Sequence, residues 1–121
     1  MSLPPLKGLK SLDRKLASIA KAAPRAAERA CLPAALLIEG AAKERCPVNT
    51  GMLRESITSA RIPRGAQVGP HTDYAAYVEY GTRYMRPRPY MAPAIEAKRD
   101  EVVRLVGEAV RIEVRRKAEA K

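Results

Sequence analysis

Every aromatic side chain in this sequence falls between Tyr74 and Tyr90, and all five are tyrosines, with no Phe and no Trp anywhere. The core therefore has to come from Ala, Leu, Val and Ile, whose removal from water supplies the main driving force for folding. Small aliphatic side chains fill space only where backbones approach closely, so helices packed through small residues are expected at both ends of the chain. A length of 121 residues matches one domain of about 100–150 residues. Residues 1–121 are read as a single domain, with 1–8 and 118–121 flexible. The 46% hydrophobic fraction is enough for a small core and excludes a wholly disordered chain.

Hydrophobic periodicity divides the chain. Leu9, Leu12, Leu16, Ile19, Ala20 and Ala23 recur at helical spacing opposite Lys10, Arg14, Lys15 and Lys21, with Ser11 available to cap a start slightly after Leu9. Pro24 has no amide donor and a preset φ, so the helix kinks or restarts there. A second helix is predicted from about Arg25 to Arg45, striped by Ala27, Ala30, Cys31, Ala34, Leu37, Ile38 and Ala41 and bent locally at Pro33 and Gly40. Cys46-Pro47 ends it, because the residue before a proline is pushed out of the helical region. Asn49 or Thr50 then caps a short turn, with Gly51 allowing a tight bend and Leu53 and Ile57 directed into the core.

Thr58 to Ile62 and Ala66 to Val68 flank the turn-like Pro63-Arg64-Gly65 as a hairpin, which Val68-Gly69-Pro70 closes. Asp73 is placed to cap a two-turn helix reaching Tyr80, and Gly81 sits where a left-handed residue would end it. Pro87, Pro89 and Pro93 exclude a regular helix between Arg83 and Pro93. The alternation of Tyr84, Arg86, Arg88 and Tyr90 reads as an extended surface arm or edge strand. From Ala94 to about Arg116 the pattern is helical, with Val102, Leu105, Val106, Ala109, Val110 and Ile112 on one face. Glu96, Asp100, Arg104, Glu108, Arg111 and Arg115 line the other, where Asp100 and Arg104 make an i,i+4 pair.

The reactive side chains are few. Cys31 and Cys46, on one helix, lie about 22 Å apart at the helical rise, beyond disulfide reach. Both are read as ordinary thiols. His71 is the only histidine, so no zinc spacing and no Ser-His-Asp or Cys-His set is available, and it reads as a solvated loop residue. No enzyme, metal, cofactor or small-molecule substrate is expected. No apolar run approaches the roughly 18 residues of a membrane span, and the first six residues lack a signal-peptide core. A soluble protein made in the cytoplasm, with no membrane partner, follows.

Four segments in order then carry a resemblance. They are Pro47-Val48-Asn49-Thr50-Gly51-Met52-Leu53-Arg54-Glu55-Ser56-Ile57, Val68-Gly69, Tyr74-Ala75-Ala76-Tyr77-Val78-Glu79-Tyr80-Gly81-Thr82, and Met85 with Arg88-Pro89-Tyr90-Met91-Ala92-Pro93-Ala94. Over roughly Ala30 to Ala97 the chain resembles the small tail-completion, or head–tail joining, proteins of lambdoid, HK-type siphophages and their prophages. Asn49 stands where the family more often has Asp, Tyr80 and Tyr90 where Phe is commoner, and Pro87 is displaced. These exchanges keep capping ability and ring volume. The resemblance implies an α+β unit, a small antiparallel β-sheet flanked by a long kinked N-terminal helix, a short central helix and a C-terminal helix. It also implies a non-enzymatic virion protein that forms a ring at the head–tail interface in the neck. Its partners are then copies of itself, the head–tail connector, and tail-tube or terminator proteins, met during assembly in the bacterial host cytoplasm.

Within that frame, Tyr77, Tyr80 and Tyr84 fall at three- and four-residue steps and read as core aromatics with hydroxyls at the rim, ahead of a base-stacking platform. Arg54 is expected to pair with Glu79, the one acid of the tyrosine helix. The stretch Arg83, Tyr84, Met85, Arg86, Arg88, Pro89 and Tyr90 is the candidate intersubunit or neck-docking arm, rich in the residue types that anchor interfaces. The net charge of +10 divides as +5 over residues 1–48, +3 over 49–93 and +2 over 94–121. That dispersion predicts solvated faces, with nonspecific contact to DNA in a ring lumen as a further partner. The alternative function is a small basic nucleic-acid-binding protein that stacks single strands on Tyr and Arg.

Overall fold

A computed structural model describes residues 8–47 and 51–120. Its elements are α1 (Leu9–Ala20), α2 (Pro24–Arg45), α3 (Met52–Ser56), β1 (Thr58–Ile62), β2 (Gly65–Gly69), α4 (Ala75–Tyr80) and α5 (Met91–Glu119). This is the expected α+β order, with one two-stranded antiparallel sheet. The expected caps at Asn49 and Thr50, and the flexible ends at residues 1–7 and 121, lie outside the described residues. Helix α5 runs to Glu119, and Gly8 accepts hydrogen bonds from Leu12 N and Arg99 Nη1.

The two long helices form the body. Ala26, Ala27, Ala30, Ala34, Ala41 and Ala42 of α2 are buried together with Val102, Val106 and Val110 of α5. The alanines leave room for the valine ridge, and each fully buried valine contributes about 1.5–3 kcal/mol. Leu12 of α1 is buried in the same cluster, with Leu9, Leu16 and Ile19 half-buried around it. Pro24 is the first residue of α2 and Cys46 leaves the helix at φ −71°, ψ 131°. Helix α2 continues through Pro33, at the cost of one backbone hydrogen bond to the Arg29 carbonyl.

Four local expectations fail. Ser11 does not cap α1 but lies inside it, its hydroxyl accepting from Arg99 Nη2 at 2.7 Å. Asp73 does not cap α4, whose N-cap is Tyr74. Asp100 and Arg104 form no ion pair among the described residues; α5 instead pairs Lys98 with Glu101, Arg111 with Glu108, and Arg116 with Glu113. Ile112, expected on the buried face, is 49% exposed, because it stands two residues, about 200° around the helix, from the buried Val110.

The hairpin pairs Thr58 with Gly69 and Ile62 with Gly65. Pro63, with φ fixed near −65°, and Arg64 at φ 66° give the signs of a type II turn. Ser59 Oγ donates to Glu39 Oε1 at 3.0 Å, fastening β1 to α2. His71 is exposed but not merely solvated, since its Nε2 lies 2.8 Å from Thr58 Oγ1 and its amide donates to Ser56 Oγ at 3.1 Å. Both cysteines are free. Burial raises the pKa of each, with Glu28 adding to the effect at Cys31, and Arg54 opposing it and Glu79 adding to it at Cys46.

A candidate interaction surface

The surface is built on a buried carboxylate. Glu79, on α4, is 6% exposed, and its two oxygens accept from the first amides of α5: Oε1 from Tyr90 N at 3.1 Å and Met91 N at 2.8 Å, Oε2 from Ala92 N at 3.2 Å. These amides have no partner within their own helix, and the positive end of a long helix favours an anion. Glu79 is therefore the cap of α5, supplied from another element. The expected ion pair with Arg54 is absent among the described residues, and Arg54 is exposed. Three fixed amides replace the cation that the sequence reading assigned to Glu79.

Gly81 makes the connection from α4 to α5 possible. Its φ of 78° and ψ of 175° belong to a region essentially closed to other residues. A side-chain carbon there would meet Pro87 N at 2.7 Å and Met85 O at 2.8 Å. The chain then turns tightly: Thr82 N donates to Met85 O at 2.8 Å, Met85 N to Thr82 O at 3.3 Å, and Tyr84 N to Thr82 Oγ1 at 3.1 Å. Arg88 N returns to Val78 O at 2.8 Å. So the arm is a turn at residues 82–85 followed by an extended run, and α5 begins at Met91, earlier than the prolines implied. Pro93 is tolerated because it occupies the first turn, where its missing donor has no acceptor to lose.

The tyrosines divide otherwise than expected. Tyr77 is 46% and Tyr84 90% exposed, while Tyr90, assigned to the surface arm, is 1% exposed. Tyr90 is the N-cap of α5, so its backbone is held by Glu79 and its hydroxyl donates to Ala75 O at 3.1 Å. Burial, reinforced by Glu79, pushes its phenol above the ordinary range, and burial followed by Glu79 raises the half-buried Tyr80 in the same direction. A signal for Tyr90 was present in Met91, Ala94 and Ile95, which continue its face at helical spacing and are all buried.

A groove of about 90 Å³ results, lined by Pro47, Gly51, Leu53, Tyr74, Val78, Met85 and Arg88. It joins three of the four sequence segments singled out above. Gly51, at φ 83°, starts α3 beside it, and Leu53 forms its buried floor. Tyr74, Tyr77, Tyr84, Met85 and Met52 stand exposed on these segments, while Arg83, Arg86 and Pro89 are exposed along the arm. The Arg83 guanidinium lies 5.8 Å from the Tyr84 ring centroid, within cation–π range. Ile57 is fully buried, Val68 packs half-buried on the core, Gly69 ends β2, and Ser56 Oγ donates to Leu53 O at 2.7 Å.

An apolar groove rimmed by tyrosine, methionine and arginine has the composition of a protein-docking surface. A family model described as "Bacteriophage HK97-gp10, putative tail-component" matches residues 10–81, more than half of the chain. The chain belongs to this family, and is a structural component of bacteriophage tails. The matched span runs from α1 to the Gly81 hinge, taking in the Pro47 to Ile57 segment and α4. Neither the curated proteins nor the solved structures yield a significant match.

Proposed function

We propose that the protein is a tail-completion, head–tail joining subunit that assembles into a ring in the virion neck, with the groove and the turn at residues 82–85 as the contact to a neighbouring subunit or connector protein. The observation that carries this reading is the exposure of Tyr84 at 90% and Met85 at 40% on a turn held rigidly between Gly81 and the Glu79-capped start of α5. A backbone already held in its turn by hydrogen bonds needs little further ordering on docking. Function then rests on repeated burial of apolar and tyrosine surface, without chemistry. Single-strand stacking is less well supported, because Tyr90 is buried and Tyr80 half-buried, which leaves the expected Tyr/Arg platform incomplete.

Solution mass and negative-stain microscopy test it, first on the protein alone and then with connector and tail-tube proteins encoded beside it. Rings are expected from the unmodified chain. The exposed pair Tyr84→Ser and Met85→Ser should keep the fold and weaken each contact by about 2–4 kcal/mol, at least tenfold in affinity. A chain that stays monomeric in every mixture, or a double variant that assembles as well as the parent, refutes the reading.

A further inference from the structure

A second surface shares no residue with the groove. Folding of the hairpin beside the start of α2 brings Arg25 and Arg29 together with Arg61 and Arg64 around an open recess, with Glu28 the one acid and Ile62 the one large apolar side chain in its lining. All four arginines are exposed. Among the described residues only Arg29 of the four has an ion-pair partner, Glu113 at 3.8 Å, and its side chain remains 61% exposed.

Two features of this recess work against stability in the free protein. Arg25 stands in the first turn of a helix of 22 residues that has no acid there, so a cation meets the positive helix end. Arg64 is the only non-glycine residue with positive φ among the described residues, a conformation that disfavours a side chain. A bound anion would relieve the first, and the second holds Arg64 at the tip of the hairpin, in the lining of the recess. Guanidinium forks match phosphate oxygens in pairs. No aromatic ring lines the recess, so bases have nothing to stack on. A protein partner would seek large apolar or aromatic anchors, and Ile62 alone offers one.

We infer that this recess binds the phosphodiester backbone of duplex DNA without reading its sequence. The site stands whether or not the groove docks a neighbour. After allowance for Glu28 and Glu113, two to three phosphates are neutralised, which predicts a slope of log affinity on log salt of about −2 to −3 and a roughly 10- to 40-fold loss between 50 and 200 mM salt.

Fluorescence anisotropy on the full chain tests this with a short labelled duplex, one of its single strands, and oligoglutamate of similar charge. The variant Arg25→Gln, Arg61→Gln, Arg64→Gly is compared with Arg83→Gln, Arg86→Gln, Arg88→Gln, which removes the same charge from the arm; circular dichroism confirms that both fold. The recess variant is expected to lose at least tenfold in duplex affinity at 50 mM salt and to flatten the salt slope, the arm variant to stay within about twofold. Absence of duplex binding, an equal loss in the arm variant, tighter binding of the single strand, or equal binding of oligoglutamate would each overturn the inference.

Discussion

Replacing Glu79 by Gln tests the cap on which the candidate surface depends. The carboxylate accepts from three amides at 2.8–3.2 Å in a site where it is 6% exposed. Hydrogen bonds to a buried charged group contribute about 1.5–3 kcal/mol each, against about 1 kcal/mol for neutral ones. Glutamine can keep the two bonds to its carbonyl oxygen in weakened form, but its amide nitrogen then confronts the donor of Ala92. The interaction with the helix end, worth up to about 2 kcal/mol, is lost as well. Because these contributions overlap, the expected destabilisation is about 2–4 kcal/mol, a large share of the marginal stability of a chain this size.

With no tryptophan in the chain, urea unfolding followed by circular dichroism is the suitable assay. Hydrogen exchange at Tyr90, Met91 and Ala92 should rise in the variant ahead of exchange in the middle of α5. Arg54→Ala supplies the contrast, with an expected cost below about 0.5 kcal/mol, as for other exposed positions. A Glu79→Gln variant within 0.5 kcal/mol of the parent, or strong coupling between positions 54 and 79 in a double-mutant cycle, would refute the cap and restore the ion pair.

Two further perturbations address the same connection. Gly81→Ala places a carbon within 2.8 Å of Pro87 N and Met85 O at φ 78°, so a loss of at least about 2 kcal/mol is expected in urea unfolding, and an unchanged midpoint would contradict the geometry. Tyr90 has its pKa raised by burial and then by Glu79. Its phenol therefore stays protonated in the folded chain where it ionises in the unfolded one. Its contribution to stability is complete below the unfolded value near 10 and declines above it, by about 1.4 kcal/mol per pH unit. Tyr90→Phe should cost about 1 kcal/mol at neutral pH by removing the bond to Ala75, and should flatten the alkaline decline; equal slopes in the two proteins would count against the buried phenol.

The elements were largely legible because their signals are local. Period-3.6 stripes placed α1, α2 and α5, Pro24 set a helix start, Pro47 a helix end, and Pro63-Arg64-Gly65 a hairpin. What was not legible depends on contacts far apart in sequence. Asp73 and Ser11 have capping chemistry, yet neither caps, because Arg99 takes the Ser11 hydroxyl and α4 starts without a side-chain cap. Glu79 lies eleven residues before Tyr90, and no spacing rule places an acid on one short helix at the end of the next. Tyr77 and Tyr84 have the spacing of core residues, but α4 ends at Tyr80, so the helical period that would have buried Tyr84 does not reach it.

Charge shows the same limit. Counted along the chain the excess of +10 is spread over three segments, and dispersion of that kind reads as solvated faces. Arg25 and Arg29 lie more than thirty residues from Arg61 and Arg64, and each pair alone is ordinary surface. The hairpin packs on α2 and is fastened there in part by the bond from Ser59 to Glu39, and that packing sets the two pairs around one recess. Removing the anchor by Ser59→Ala should therefore weaken duplex binding without touching any arginine, whereas a surface attracting DNA by net charge alone would leave binding unchanged when the charge is unchanged. Anisotropy titrations on this variant and the parent separate a site assembled by the fold from a diffuse positive field.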